Sequence, residues 1–341
     1  MAKGLVASWM LLGLSAVMLG CGSDDTKPET TSGPTLLSEP LGELPAQLSQ
    51  TGLYPRAPKL DVSLAALPYE PRFPLWSDGG RKDRCIVLPE GTRIDATDTS
   101  NYAFPVGTLI FKTFSFRTPE SPSDVVPVET RLLRLNDDGW ELAAWSWDDA
   151  GRDAELLDLR RGVTREVLSE TDEVVQHSIP SRLECRQCHE SSTSEILGVN
   201  ELQLSPSLAH GKLASQLSPE PSEPFAELPA HGPLTSQVLG YFQGNCVHCH
   251  NGTNGAASSF DLRPDAALPN IIGQPTESSA TADGIRVVPG EPDQSILYLG
   301  VKGGSELEVK DMPPVGVTLR DASAVELLSG WITALKDDDD P

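Results

Sequence analysis

Two pentapeptides carry the chemistry of this chain: Cys185-Arg186-Gln187-Cys188-His189 and Cys246-Val247-His248-Cys249-His250. Each sets two thiols three residues apart with an imidazole directly after the second, the spacing of covalent c-type haem attachment. Two thioether bonds need both sulfurs to reach the vinyl groups on one porphyrin edge, which one turn of chain allows. The adjacent histidine, His189 or His250, then swings beneath the iron. The competing chemistry is zinc, because two Cys-x-x-Cys pairs can close a tetrahedral site of four thiolates. Compartment separates the two readings, so the elements around the motifs matter next.

Lys3 is followed by a mostly apolar stretch over residues 5–19, and the run Met18-Leu19-Gly20-Cys21 ends it. Residues 1–21 read as an export signal. The ending resembles a bacterial lipoprotein lipobox, which implies acylation of Cys21; an ordinary cleaved signal is the other reading. About fifteen apolar residues fall short of the twenty or so that span a membrane. Several fatty chains would hold the protein at a membrane through its lipid alone, since one chain binds only marginally. The expectation is a lipid-anchored protein of the cell envelope facing the periplasm. Gly22 stands where an aspartate would favour inner-membrane retention, which points to the outer membrane. Haem is attached outside the cytoplasmic membrane, so signal and motifs agree and zinc recedes.

Forty-nine acidic against twenty-six basic side chains give a net charge of −23. Nucleic acid and anionic lipid are poor partners for such a surface, whereas a basic redox protein is a suitable one. Twenty-nine prolines and twenty-nine glycines imply short elements and many turns. Residues 22–45 have the composition of a disordered tether. Residues 46–180 read as β-rich, with strands over 85–88, 108–116, 130–135 and 140–147. Asn136-Asp137-Asp138-Gly139 supplies turn chemistry between the last two. A β-sandwich or jelly roll is the expected outcome. Trp76, Trp140, Trp145 and Trp147 could line a ligand groove or pack a core. Asp148, Asp149 and Asp153 match no calcium-loop spacing and read as a solvated turn. Cys85 reads as a buried, inert thiol.

From residue 233 onward the order of elements becomes informative, with helices predicted over 234–244, 295–301 and 323–335. Gly240 and Phe242 on the first, Val288-Pro289-Gly290-Glu291-Pro292 before the second and Met312-Pro313-Pro314 in the loop opposite resemble class I cytochromes c. That resemblance implies His250 as the proximal and Met312 as the distal iron ligand. A soft thioether there raises the reduction potential relative to two histidines, and Met312 is the only methionine after the signal. His248, inside the motif, is expected to be exposed. With no methionine left, the iron of the first motif would take His177, His210, His231, water or nothing. His210 lies on a possible helix over 205–217, and His177 ends a predicted strand.

A longer resemblance runs over residues 46–335. It is carried by Leu48-Ser49-Gln50-Thr51-Gly52-Leu53-Tyr54, Phe73-Pro74-Leu75-Trp76-Ser77-Asp78-Gly79, Phe104-Pro105-Val106-Gly107-Thr108, Lys112-Thr113-Phe114, Glu129-Thr130-Arg131-Leu132-Leu133, Ile179-Pro180-Ser181-Arg182 and Asn245. Together these resemble a bacterial family of dihaem c-type cytochromes with an N-terminal β domain. The resemblance implies two covalently bound c-type haems, held by Cys185 and Cys188 and by Cys246 and Cys249, and the transfer of single electrons. Dihaem peroxidases are disfavoured because their motifs lie much further apart than Cys185 and Cys246. The alternative is a haem oxidoreductase in which an open first iron reacts and the β domain binds substrate, but nothing here requires a catalytic acid or base. The expected fold is therefore α+β and multidomain. After the signal (1–21) and tether (22–45) comes a β-sandwich or jelly-roll-like domain (46–180). An α-helical cytochrome c-type dihaem region follows, made of a first haem segment (181–232) and a class I cytochrome c-like domain (233–337), with an acidic tail (338–341). The first haem would pack between the β domain and the C-terminal domain.

Overall fold

The structure is a computed structural model that describes residues 35–54, 61–192, 194, 196–210, 212–222, 224–253, 260–276, 284–304 and 309–335, without the side chains of 206–210. The signal, Cys21, residues 22–34 of the tether and the acidic tail lie outside the described residues.

One antiparallel sheet dominates. Its strands are β1 (Leu67–Pro68), β2 (Arg81–Val87), β4 (Leu109–Thr118), β5 (Ser121–Asn136), β6 (Gly139–Trp147) and β7 (Ala154–Leu156), in the order β1-β2-β4-β5-β6-β7. The expected strand positions recur here with longer reach: β2 begins at Arg81 and β5 at Ser121. Asn136 pairs with Gly139 across a tight turn, and Gly139 takes the positive φ of 113° that closes it, a conformation open to glycine at little cost. β3 (Ile94–Asp95) pairs in parallel with β10 (Leu217–Ser218), and β8 (Val163–Leu168) with β9 (Val174–Ile179) forms a separate hairpin.

The period of two sorts the side chains onto two faces. One face carries Cys85, Leu109, Phe111, Leu132, Ala143, Trp145 and Trp147, packed under Leu36, Leu48, Leu53 and Tyr54. Leu36 and Leu37, inside the stretch read as tether, thus belong to the core, and Leu37 N–H donates to the Thr51 carbonyl at 3.1 Å. Polar atoms on this face satisfy one another: Tyr54 Oη, Thr113 Oγ1 and Thr130 Oγ1 form a chain at 2.7 Å per step, and Trp147 Nε1 donates to Thr130 Oγ1 at 2.9 Å. Trp145 and Trp147 are therefore core residues. The acids Asp148, Asp149 and Asp153 point to three separate partners, Arg152, Arg165 and Ser49.

The expected fold class is not what the chain adopts. The described strands form one six-stranded sheet with only the two-stranded β8–β9 sheet packed on it, Phe114, Phe116 and Val128 against Val167 and Val175, and not the two facing sheets of a sandwich or jelly roll. Nor is there an α-helical cytochrome c-type dihaem region. The six α-helices among the described residues are short: α1 (Arg182–His189), α2 (Glu201–His210), α3 (Pro233–Asn245), α4 (Ala267–Ile271), α5 (Ile296–Lys302) and α6 (Ala322–Ala334). The described residues fall in one compact unit. Val238, Leu239 and Phe242 of α3, Leu299 of α5 and Leu328 and Trp331 of α6 share a core, but the loop between β1 and β2 reaches into this part through Phe73. A Cβ on Gly240 would meet the Phe73 ring at 2.5 Å and one on Gly244 the Phe73 carbonyl oxygen at 2.6 Å. A helix order read locally cannot reveal such a long-range contact, and sixteen residues of β5 outweigh any one helix. Among the described residues no helix is long and apolar enough to cross a membrane.

Candidate functional site

The first motif lies on α1. Ser181 and Glu184 form its capping box: Glu184 Oε2 accepts from Ser181 N at 2.8 Å, and Ser181 Oγ accepts from Glu184 N at 3.4 Å, satisfying two otherwise orphaned donors. Cys185 and Cys188 stand three apart on this helix, hence on one side, with His189 just beyond.

The second motif begins where α3 ends. Cys246 caps that helix, and Cys249 N and His250 N both bond to the Cys246 carbonyl, at 3.0 and 2.9 Å, folding the motif into one tight turn. Asn245 fixes the turn to the sheet side, its Oδ1 accepting from Trp76 N at 2.7 Å while its Nδ2 donates to the Tyr241 carbonyl at 3.1 Å. Trp76 in turn donates its indole N–H to the Leu319 carbonyl at 2.8 Å.

The motifs meet. Ser191, two residues past His189, donates to the His248 carbonyl at 3.2 Å and lies 3.8 Å from Cys249 Sγ; Asn251 Nδ2 donates to the Ser191 carbonyl at 2.9 Å. Ligand atoms of Cys188, His248 and Cys249 lie within 4.8 Å of one another. The hydrogen bond between the two thiols favours the thiolate of Cys249, helped by His248, and holds the Cys188 thiol protonated. His248 is buried, contrary to the expected exposure; its ring turns toward the neighbouring motif. Burial pushes Cys246 up to about 12 and His250 below its usual value.

Both motifs open onto a single cavity of about 1340 Å³, whose walls include His189, His250 and Met312. Cavities for small ligands usually measure about 300–1,000 Å³, so this one has room beyond a single such molecule. Met312 is held to α5 by its N–H on the Gly300 carbonyl at 2.9 Å. His250 stacks on Phe260 with centroids 4.4 Å apart, and the Arg286 guanidinium lies over the same ring, 4.8 Å from its centroid.

No family model, no curated protein and no solved structure matches this chain.

The remaining histidines fall in three places. His177 is fully buried on β9 with both ring nitrogens taken: Nδ1 donates to Asp78 at 3.0 Å and Nε2 to Glu129 at 2.9 Å, leaving neither for a metal. Burial alone would lower its pKa, yet the two carboxylates outweigh that and raise it. Glu129 is buried too, but Arg131 and His177 hold it down at about 2. Asp78 adopts a left-handed φ of 53°, rare outside glycine but tolerated by aspartate, and its Oδ1 accepts from Thr318 N and Leu319 N at 2.7 and 2.8 Å. The network thus ties β9 and β5 to the segment after Met312. His210 is the last residue of α2, and His231 is exposed before α3.

Sequence reading missed Ser191, Asn251, Phe260, the His177 network and the charged residues on the sheet beneath the cavity. One signal was available: Lys112 interrupts the apolar run 109–116, and a cation in the middle of a central strand asks for a partner.

Proposed function

We propose that this chain carries two covalently attached c-type haems and passes single electrons. The observation that supports it most is the convergence of both Cys-x-x-Cys-His motifs and Met312 on one cavity of about 1340 Å³. The donor set suits the group: Cys185 and Cys188, and Cys246 and Cys249, are the paired thiols for thioether bonds, His189 and His250 the nitrogen ligands, and Met312 a soft sulfur ligand for the second iron. Bound haem would supply the one-electron couple. The chain's part is to orient each imidazole, as Phe260 does for His250, and to keep the site enclosed by sheet, helices and the Met312 segment. Burial keeps His250 neutral, the form that ligates. Acylation of Cys21, a periplasm-facing anchor and a basic redox partner complete the proposal.

The test is expression with a haem-attachment system, followed by intact mass and absorption spectra, oxidised and reduced, with and without carbon monoxide. Two covalent haems, both low-spin and indifferent to carbon monoxide, are the outcome expected of an electron carrier. Carbon monoxide binding at one haem would shift the reading to an oxidoreductase with an open first iron, for which the engagement of both His177 nitrogens is the favouring observation. A mass without haem would reject both. The convergence of Cys188, His248 and Cys249 favours a second reading, a zinc site, which bound zinc in that haem-free protein would establish.

A further inference from the structure

The four motif thiols all line the shared cavity and are all half-buried, yet they are not equally placed. Cys185 turns its sulfur toward the Pro180 carbonyl, 3.9 Å away, and Cys246 packs against the core of α3, α5 and α6. Cys188 and Cys249 face each other across the gap between the motifs, with their sulfurs within 4.8 Å. The backbone on either side of that gap is fastened. Ser191, three residues past Cys188, donates its hydroxyl to the His248 carbonyl beside Cys249 at 3.2 Å, and Asn251, two past Cys249, donates to the Ser191 carbonyl at 2.9 Å. With the chain so held, rotation of two short side chains is the motion that brings the sulfurs to the bonding distance of about 2 Å. Bridges within one motif are worse placed. Cys185 and Cys188 stand three apart on α1, a spacing that keeps Cβ atoms about 5–6 Å apart, whereas a disulfide needs about 3.5–4.5 Å. In the second motif Cys246 is packed into the helical core while Cys249 faces Cys188.

We infer that Cys188 and Cys249 form a disulfide between the two motifs in a chain oxidised before haem is attached, and that this one bond withholds both attachment sites. The bond rests on the geometry alone; its part as a gate rests on the function proposed above. The oxidant is an external disulfide of low molecular mass, able to enter the cavity. One of the two sulfurs, as thiolate, attacks a sulfur of that disulfide and expels the other as a thiolate. The second cysteine then gives up its proton and attacks the mixed disulfide, expelling the remaining external sulfur. Two thiols of the chain are thereby oxidised to one bond, one external disulfide is reduced to two thiols, and the two protons pass to these. Each motif keeps a single thiol, Cys185 or Cys246, so neither can form two thioethers, and one reduction frees both together. The same bond takes two of the three ligands that converge at Cys188, His248 and Cys249.

The test takes the full chain, made without a haem-attachment system, exposes it to glutathione disulfide, alkylates the remaining thiols and maps the peptides by mass without reduction. The expected product is the Cys188 peptide joined to the Cys249 peptide, two hydrogens lighter than their sum, with Cys185 and Cys246 alkylated. A bridge inside either motif, or four alkylated motif thiols, would overturn the inference. Cys185→Ser should keep the bridge, and Cys249→Ser should leave Cys188 as its glutathione adduct; loss of the bridge in a folded Cys185→Ser chain overturns it as well. Should Cys249→Ser not fold, the wild-type map decides alone. A second arm gives the bridged chain to a haem-attachment system with and without dithiothreitol. Haem should add to the mass only after reduction, and at both motifs. A haem on the unreduced, bridged chain overturns the gate. A reduced chain that takes no haem overturns the haem reading and the gate with it, while the bridge still stands or falls on the peptide map.

Discussion

The two faces of the central sheet solve opposite problems with the same strands. On the face under Leu36, Leu48 and Tyr54, polar atoms close on themselves through Tyr54, Thr113, Thr130 and Trp147, and the tryptophans fill the space. On the other, Lys112 sits among cations and the wall opens into a large cavity. One face is finished by folding alone. The other holds unneutralised charge and empty volume, which is how a binding surface differs from a core even when neighbouring residues on one strand contribute to both.

The contrast can be broken or sharpened in four ways. Trp145→Ala should cost the most, about 3–5 kcal/mol for an emptied aromatic site, read from chemical denaturation. His177→Gln, beneath the charged face, should cost a comparable amount, about 3–5 kcal/mol, because it leaves Asp78 a buried carboxylate without its cation and takes from Glu129 one of its two partners, Arg131 remaining. That cost depends on pH. The raised pKa of His177 means its contribution is complete below the unfolded value of about 6.5 and is lost as pH rises through the folded value; the gap between wild type and variant should therefore narrow as pH rises above about 6.5. Glu129 acts with the opposite sign, its contribution lost only as pH falls toward about 2. Gly244→Ala should cost about 1–3 kcal/mol, since the new Cβ meets backbone at Phe73 and not a side chain that can turn away. A thermal melt of the purified variant reads it. Lys112→Met should be the smallest change and of the other sign, neutral or stabilising by up to about 1 kcal/mol in the haem-free chain; a large loss there would place Lys112 with the core residues.

Much of the local structure was legible. The alternation around Phe114 and Phe116 marks β4, the Asn136-to-Gly139 run marks the β5–β6 turn, and the apolar spacing over 323–335 marks α6. What was not legible depends on register and on contacts distant in sequence. That Arg84, Lys112 and Arg131 stand in one row follows from pairings between residues far apart in the chain, which no local pattern encodes. The absence of a full sandwich was hidden for the same reason: that Val167 and Val175 pack on Phe114, Phe116 and Val128 is a contact between residues distant in the chain. His248 looked exposed because its neighbour in space, Cys188, is sixty residues away. Of the site, the thiols and imidazoles were legible from spacing, whereas their supports, Ser191, Asn251 and Phe260, carry residue types too common to stand out.

The walls of the cavity are drawn from the chain between Tyr69 and Val317, and that span sets an order of construction. A chain delivered N-terminus first completes the sheet before Cys185 emerges, and the sheet before α3. The segment bearing Met312, with Thr318 and Leu319 fastening it to Asp78, arrives last. A group fixed to the first motif would thus be seated against an already rigid bed while the roof is still missing. The chamber would then close around such a group, much as a ship is built in a bottle, and would need no mouth wide enough to admit it afterwards.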